Sequence, residues 1–121
     1  MTIPLKYKDN LQYMILIVNI LNPFLKLMPK EKLVLASIMN VYYENRHLSK
    51  ELIRTILANK ETRKVMQDSV LLNSNGFNNM VSSLRKKNVL LGDRLNDNII
   101  KFIPDSSEHT LTFDFSGYSK P

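Results

Sequence analysis

The sequence predicts a mainly α-helical fold followed by a small β hairpin. Apolar residues recur at helical spacing between residues 29 and 87, and Ser or Asn stands as a helix cap before several of these segments. From residue 89 onward, short apolar runs are bounded by turn residues, as is typical of strands. A chain of 121 residues is long enough for one domain with a single modest core.

The amino-acid composition limits the kinds of site and partner that the chain can have. The chain has no cysteine, which excludes a disulfide framework and a thiolate metal site. Its net charge of +6 is unevenly placed, because residues 60–94 hold seven basic and three acidic side chains whereas residues 95–121 hold two and four. A basic middle favours a polyanionic partner, with phosphate groups as the expected target.

The first 28 residues form a distinct N-terminal segment. Residues 1–10 suit an arm or a leading strand, and residues 11–28 are the most apolar part of the chain. We reject a membrane span and expect no membrane contact, because polar residues and a proline interrupt this run: Gln12, Asn19, Asn22, Pro23 and Lys26. We expect a helix over 11–21 that Asn22-Pro23 ends or kinks, with a buried strand over 14–18 as the alternative. A segment apolar on all sides needs cover, so residues 11–28 are expected to bind a second copy or a larger protein assembly.

Helices are expected over residues 29–45, 50–57, 60–71 and 75–87. Ser49 and Asn59 are placed to cap the second and third, and residues 73–76 supply a turn and a cap for the fourth. Asn88 is expected to close the fourth helix in the left-handed conformation.

The helix over 75–87 has two unlike faces. Phe77, Met80, Val81 and Leu84 share an apolar face, and the opposite face carries short or basic hydrogen-bonding groups: Asn75, Asn78, Asn79, Ser82, Ser83 and Lys86. Such a helix suits a DNA major groove, and an ordinary surface helix is the alternative. The thirteen asparagines of the chain also fit an AT-rich coding genome, which is another explanation for this face.

After this helix, strands are expected over 89–91, over 99–103 and over 110–115, and turn signals at residues 92–93 and 96–98 bracket Arg94-Leu95. Residues 105–108 suit a loop, and residues 116–121 a polar tail.

We find no pattern of an enzyme. His47 and His109 lie in expected loops without ligand or catalytic spacing, and Asp93 and Asp97 bracket a turn with too few carboxylates for a metal. With three glycines, no phosphate-cradling loop is recognisable. We therefore expect no catalytic residues, no metal and no cofactor.

The order of elements over residues 29–115 resembles the winged helix-turn-helix superfamily. The likeness is sharpest over 70–90, where an apolar residue, a cap, a helix, a leucine, a basic run and an apolar strand follow one another: Leu72, Phe77, Val81, Leu84, Arg85, Lys86, Lys87, Asn88 and Leu90. Asn88 stands where most relatives have glycine. The apolar N-terminal segment is similar to the extra helices through which many such regulators dimerise, and the composition resembles that of small bacteriophage or mobile-element proteins.

The resemblance implies double-stranded DNA as the partner. It places base contacts on Asn75, Asn78, Asn79 and Ser82, and phosphate contacts on Arg63, Lys64, Arg85, Lys86, Lys87, Arg94 and Lys101. For residues 85–87 the alternative is a solvated helix end favourable to the helix dipole.

The expected function is that of a transcriptional regulator or replication-associated factor in the cytoplasm, or in the host cytoplasm if phage-encoded. The rival is a non-enzymatic structural or adaptor protein that uses this fold for protein contacts, such as a virion component.

Overall fold

The computed structural model describes residues 2–4, 10–92, 94–104 and 110–112. The chain is mainly helical with short antiparallel strand pairs, which confirms the predicted class at this level. The helices are α1 Asn10–Leu25, α2 Pro29–Glu44, α3 Lys50–Ala58, α4 Lys60–Ser69, α5 Ser74–Lys86 and α6 Asp97–Ile100. The strands are β1 Thr2–Pro4, β2 Leu90–Leu91, β3 Arg94–Leu95 and β4 Thr110–Thr112.

Helix α2 is the centre of the fold. It packs against α1, α3, α4 and α5. Because neighbours surround it, its buried residues are not confined to one stripe: Glu31, Val34, Leu35, Ala36, Ser37, Ile38, Met39, Tyr42 and Tyr43. The core therefore forms around α2.

Helix α1 continues through Pro23 to Leu25, so the expected end at residue 21 is wrong, as is the alternative of a strand over 14–18. A proline removes one helical N–H, and the carbonyl that loses this partner belongs to Asn19, an exposed residue four positions earlier. Asn22 acts beyond the proline, since its Oδ1 accepts the Leu27 N–H at 2.8 Å. The helix buries several apolar side chains within the chain: Tyr13, Met14, Ile17, Val18 and Leu21.

The next four helices follow the predicted boundaries within two residues, and their caps are largely those expected. The Ser49 side chain accepts the Leu52 N–H, the Asn59 side chain accepts two N–H groups at the start of α4, and the Asn73 side chain accepts the Gly76 N–H. These bonds satisfy N–H groups that no helical carbonyl can reach.

A left-handed residue lies two positions after the end of α4 and two positions after the end of α5. Asn88 has φ 61°, as predicted, and Leu71 has φ 58°, which the sequence did not suggest. In each case the following N–H bonds back over the last turn, from Leu72 to the Gln67 carbonyl at 3.1 Å and from Val89 to the Leu84 carbonyl at 3.0 Å.

The hairpin follows α5 directly. Leu90 pairs with Leu95 and Leu91 with Arg94 in antiparallel register. Gly92 begins the connection with φ 69°, a conformation that glycine adopts at little steric cost. Because the hairpin follows α5 so closely in sequence, Arg94 is only eight residues from the last residue of that helix, Lys86.

The expected strand over 99–103 is wrong. Asn96 caps a helical turn there, because its Oδ1 accepts the Asn98 N–H at 3.0 Å. Ile99 and Phe102 are both buried, at the i, i+3 spacing of a helical turn rather than the alternation of a strand. Lys101 is consequently the C-cap of α6 and does not lie on a wing strand.

The two ends of the chain meet in a second pair, in which Thr2 lies opposite Thr112 and Pro4 opposite Thr110. This confirms a strand within residues 1–10 and one within 110–115. The predicted loop over 105–108, His109, residues 113–115 and the tail over 116–121 lie outside the described residues. Among the helices of the described part, none has the length and apolar character needed to cross a membrane.

Candidate nucleic-acid interface

The outer face of α5 is the candidate site. Asn75, Asn78, Asn79, Ser82 and Lys86 are all exposed, as the helical spacing predicted. The opposite face buries Phe77, Val81 and Leu84. The helix sequence contains no acidic residue, and its last turn carries Arg85 and Lys86. The face is therefore polar along its length and basic in its last turn.

Three of the four residues expected to contact bases offer unengaged hydrogen-bonding groups. Within the described part of the chain, no hydrogen bond holds the side chains of Asn75, Asn79 and Ser82. Asn78 differs, because Arg63 of α4 donates from Nη2 to its Oδ1 at 3.0 Å. The same guanidinium lies 5.7 Å from the centre of the Phe77 ring. Arg63 therefore connects α4 to α5 on this face.

The basic residues differ in their surroundings. Lys86 on α5 and Arg94 on β3 are exposed, and neither has an ion pair among the described residues. Lys64 forms an exposed pair with Asp68 at 3.2 Å, one helical turn away. Such surface pairs contribute at most about 1 kcal/mol and are readily exchanged for another anion.

Arg85 connects the end of α5 to the hairpin. Its Nε donates to the Gly92 carbonyl at 2.7 Å. This bond uses one of five guanidinium N–H groups and leaves the terminal ones to other acceptors. Lys101 lies apart at the end of α6, where its ammonium is 5.5 Å from the centre of the Phe102 ring.

Lys87 is turned towards α2 instead of the outer face, although its side chain is 35% exposed. Its Nζ lies 2.7 Å from Glu31 Oε1 and also donates to the Lys26 carbonyl at 3.3 Å. Ser83, expected on the outer face, is half-buried and donates to Glu31 Oε2. Ser83 and the C-cap residue Lys87 thus hold the end of α5 against α2.

Glu31 is the functional group that the sequence reading missed. It is 1% exposed and accepts the Met28 N–H at 2.7 Å as well as the groups from α5. Burial by itself raises the pKa of this carboxyl, but the hydrogen bonds from Lys87, Ser83 and Met28, with the charge of Lys87, lower the pKa below its ordinary value. A glutamate three residues after the N-cap was the available signal, since this spacing is that of a capping box.

The described residues contain no cluster of three or more His, Asp or Glu side chains arranged to hold a metal ion. No protein-family model matches the chain, and neither curated proteins nor solved structures show a significant similarity to it.

Proposed function

We propose that this chain is a winged helix-turn-helix protein that binds double-stranded DNA, as a transcriptional regulator or replication-associated factor. The observation that carries the proposal is the exposed Asn/Ser face of α5, which ends in Lys86 and is followed at once by a hairpin bearing Arg94. In this assignment α4 and α5 are the helix-turn-helix, α5 enters the major groove, and β2–β3 is the wing.

Base contacts fall to the unengaged amides and hydroxyl of α5. An asparagine amide both accepts and donates, which matches the N6 and N7 edge of adenine, and a serine hydroxyl serves either role. Asn75, Asn79 and Ser82 offer these groups directly. Asn78 joins them when Arg63 turns from its Oδ1 to a phosphate.

Phosphate contacts fall to cations around this face. Lys86 and Arg94 are exposed, Arg85 retains terminal N–H groups, and Arg63 and Lys64 come from α4. Lys87 is assigned to the fold, because Glu31 already neutralises it. Lys101 is left to a flanking contact, given its place after α6.

A mobility-shift titration at several salt concentrations tests the proposal. Lys86→Ala should weaken binding to every sequence and reduce the salt slope by about one ion, since one phosphate contact is lost. Asn79→Ala should instead reduce the difference in binding free energy between preferred and unrelated DNA. The expected reduction is about 1–3 kcal/mol if a bidentate base contact is lost.

Lys87→Met is the matched control, because it removes an equal charge one residue away. Measured where the variant is fully folded, its salt slope should equal that of the wild type. Absence of binding at low salt by the folded wild-type chain would remove the proposal.

A second candidate is a protein-contact module, within a homo-oligomer or a larger assembly such as a virion. It is favoured by apolar side chains exposed near the α1–α2 junction, Phe24 at 45% and Met28 at 64%. Five α1 side chains are already buried within the chain, which leaves less apolar surface for a partner to cover. Light scattering at high concentration distinguishes the outcomes, because a strict monomer opposes self-association through residues 11–28.

A further inference from the structure

A half-open pocket lies where α3, α4, α5 and the hairpin meet the central helix. Its volume is about 130 Å³. Its floor consists of side chains that are 9% exposed or less: Ile38, Leu57, Met66, Phe77, Val81 and Leu90. The floor is therefore apolar, and its side chains can contact a ligand by packing but not by hydrogen bonding.

The volume suits a single aromatic ring. Engineered apolar cavities of about 150 Å³ in proteins stay dry and bind benzene. This pocket is of similar size, and it is open on one side, so a ring can enter while a substituent remains at the rim.

The rim is cationic. Arg63, which is half-buried, and Arg85, which is exposed, both line the pocket, and none of its described lining residues is acidic. One hydrogen bond orients each guanidinium, from Arg63 to Asn78 and from Arg85 to the Gly92 carbonyl. Each guanidinium keeps further N–H donors, and planar guanidinium groups match carboxylate oxygens well.

We propose that this pocket binds a small aromatic carboxylate, with the ring on the apolar floor and the carboxylate between Arg63 and Arg85. The ring is desolvated by the floor, and the charge remains at the rim, where burial does not penalise it. The alternative to a binding site is that the aliphatic parts of the two arginine side chains cover apolar surface while their guanidinium groups stay in water. The two explanations differ in one respect, since only a binding site shows a preference for a ring joined to an anion.

Nuclear magnetic resonance titration of the full chain with benzoate near neutral pH tests this directly. Saturable shifts are expected at the amides of Leu90 and Gly92. Toluene, which lacks the charge, and acetate, which lacks the ring, should each bind at least about tenfold more weakly. The measurement uses no DNA, so its failure and the failure of the DNA proposal are separate results.

Two variants locate the ligand. Arg63→Gln combined with Arg85→Gln should weaken benzoate binding about tenfold or more, because charge-assisted hydrogen bonds are lost. Ala58→Phe, at an exposed position on the pocket wall, should block entry without opening the core. Lys86→Gln is the matched control, since it removes a charge from the same helical turn outside the pocket, and it should leave binding unchanged.

Several results would overturn the proposal: no saturable shifts with benzoate, equal binding of toluene or acetate, or equal binding by the double arginine variant. Equal weakening by Lys86→Gln would also overturn it, because the effect would then reflect net charge and not the two guanidinium groups.

Discussion

The ion pair between Glu31 and Lys87 fastens the start of α2 to the end of α5, and Lys87→Met removes it while keeping an apolar stem of similar length. Breaking a buried ion pair from one side costs about 3–5 kcal/mol. Here the Lys87 side chain is 35% exposed, so solvent screens part of the interaction. Glu31 also keeps its bonds from Met28 and Ser83. We therefore expect a loss of about 2 kcal/mol in the free energy of unfolding, close to the value of one charge-assisted hydrogen bond.

Urea denaturation at neutral pH measures this loss as a lower midpoint at unchanged slope. Thermal unfolding should shift by about 8 °C in the same direction. Lys86→Met is the matched control, because both lysines lie at the C-terminus of α5 and interact similarly with the helix dipole. Since Lys86 is exposed, its replacement should change the free energy of unfolding by no more than about 0.5 kcal/mol.

A double-mutant cycle isolates the pair. Glu31→Gln combined with Lys87→Met should cost about 1–2 kcal/mol less than the sum of the single changes, because the second substitution has no ion pair left to break. Equal stabilities of Lys86→Met and Lys87→Met, or additive effects in the cycle, would refute the reasoning.

Three further outcomes are expected. Leu71→Gly should raise the free energy of unfolding, measured in urea, by about 0.5–1 kcal/mol, because Leu71 has φ 58° and is 91% exposed. A fall in stability would show that Leu71 makes a contact that its exposure does not reveal. Tyr42→Phe should lower it by about 1–3 kcal/mol, since the buried Leu95 N–H loses the Tyr42 hydroxyl as acceptor at 3.1 Å; unchanged exchange of that amide would contradict this. Because the pKa of Glu31 is lowered in the folded state, its contribution is fully present above the ordinary carboxyl pKa of about 4.3 and is lost as the pH falls through the lowered value. The difference in the free energy of unfolding between wild type and Glu31→Gln, measured in urea from neutral to acid pH, should therefore decrease only below the ordinary carboxyl pKa.

Local signals explain why most helices could be predicted. Ser49, Asn59 and Asn73 each cap a helix through an N–H two or three residues away, so the information lies within one turn of sequence. The left-handed Asn88 was also predictable, because asparagine tolerates this conformation at a helix end, whereas Leu71 gave no such signal.

The errors arose where a local pattern had two physical solutions. Asn22-Pro23 suggested a helix end or a kink, yet the helix continues to Leu25, and the carbonyl that loses its N–H partner is that of the exposed Asn19. The β-branched residues from Ile99 onward suggested a strand, but the Asn96 cap and the burial of Ile99 and Phe102 give a helical turn. The burial of Ile99 and Phe102 is set by the rest of the fold, so the residues around them could not decide between a strand and a helical turn.

The candidate site shows the same division. The exposure of Asn75, Asn79 and Ser82 follows from the period of one helix and was predictable. The contact of Lys87 with Glu31 depends on how α2 docks beside α5, and Glu31 is 56 residues away in sequence. A helical wheel of α5 alone cannot contain that information.

The central place of α2 has a consequence for how the molecule opens. Local fluctuations expose an amide to hydrogen exchange only if the surrounding elements can separate at low cost. Because α1, α3, α4 and α5 all rest on α2, freeing its backbone requires most of the structure to unfold. The amides of α2 should therefore exchange only through global unfolding, whereas the two-residue strands of the hairpin can open while α2 stays closed. The outer face of α5 thus belongs to a helix that packs on α2, which is expected to exchange most slowly. It adjoins the hairpin, which is expected to open more readily.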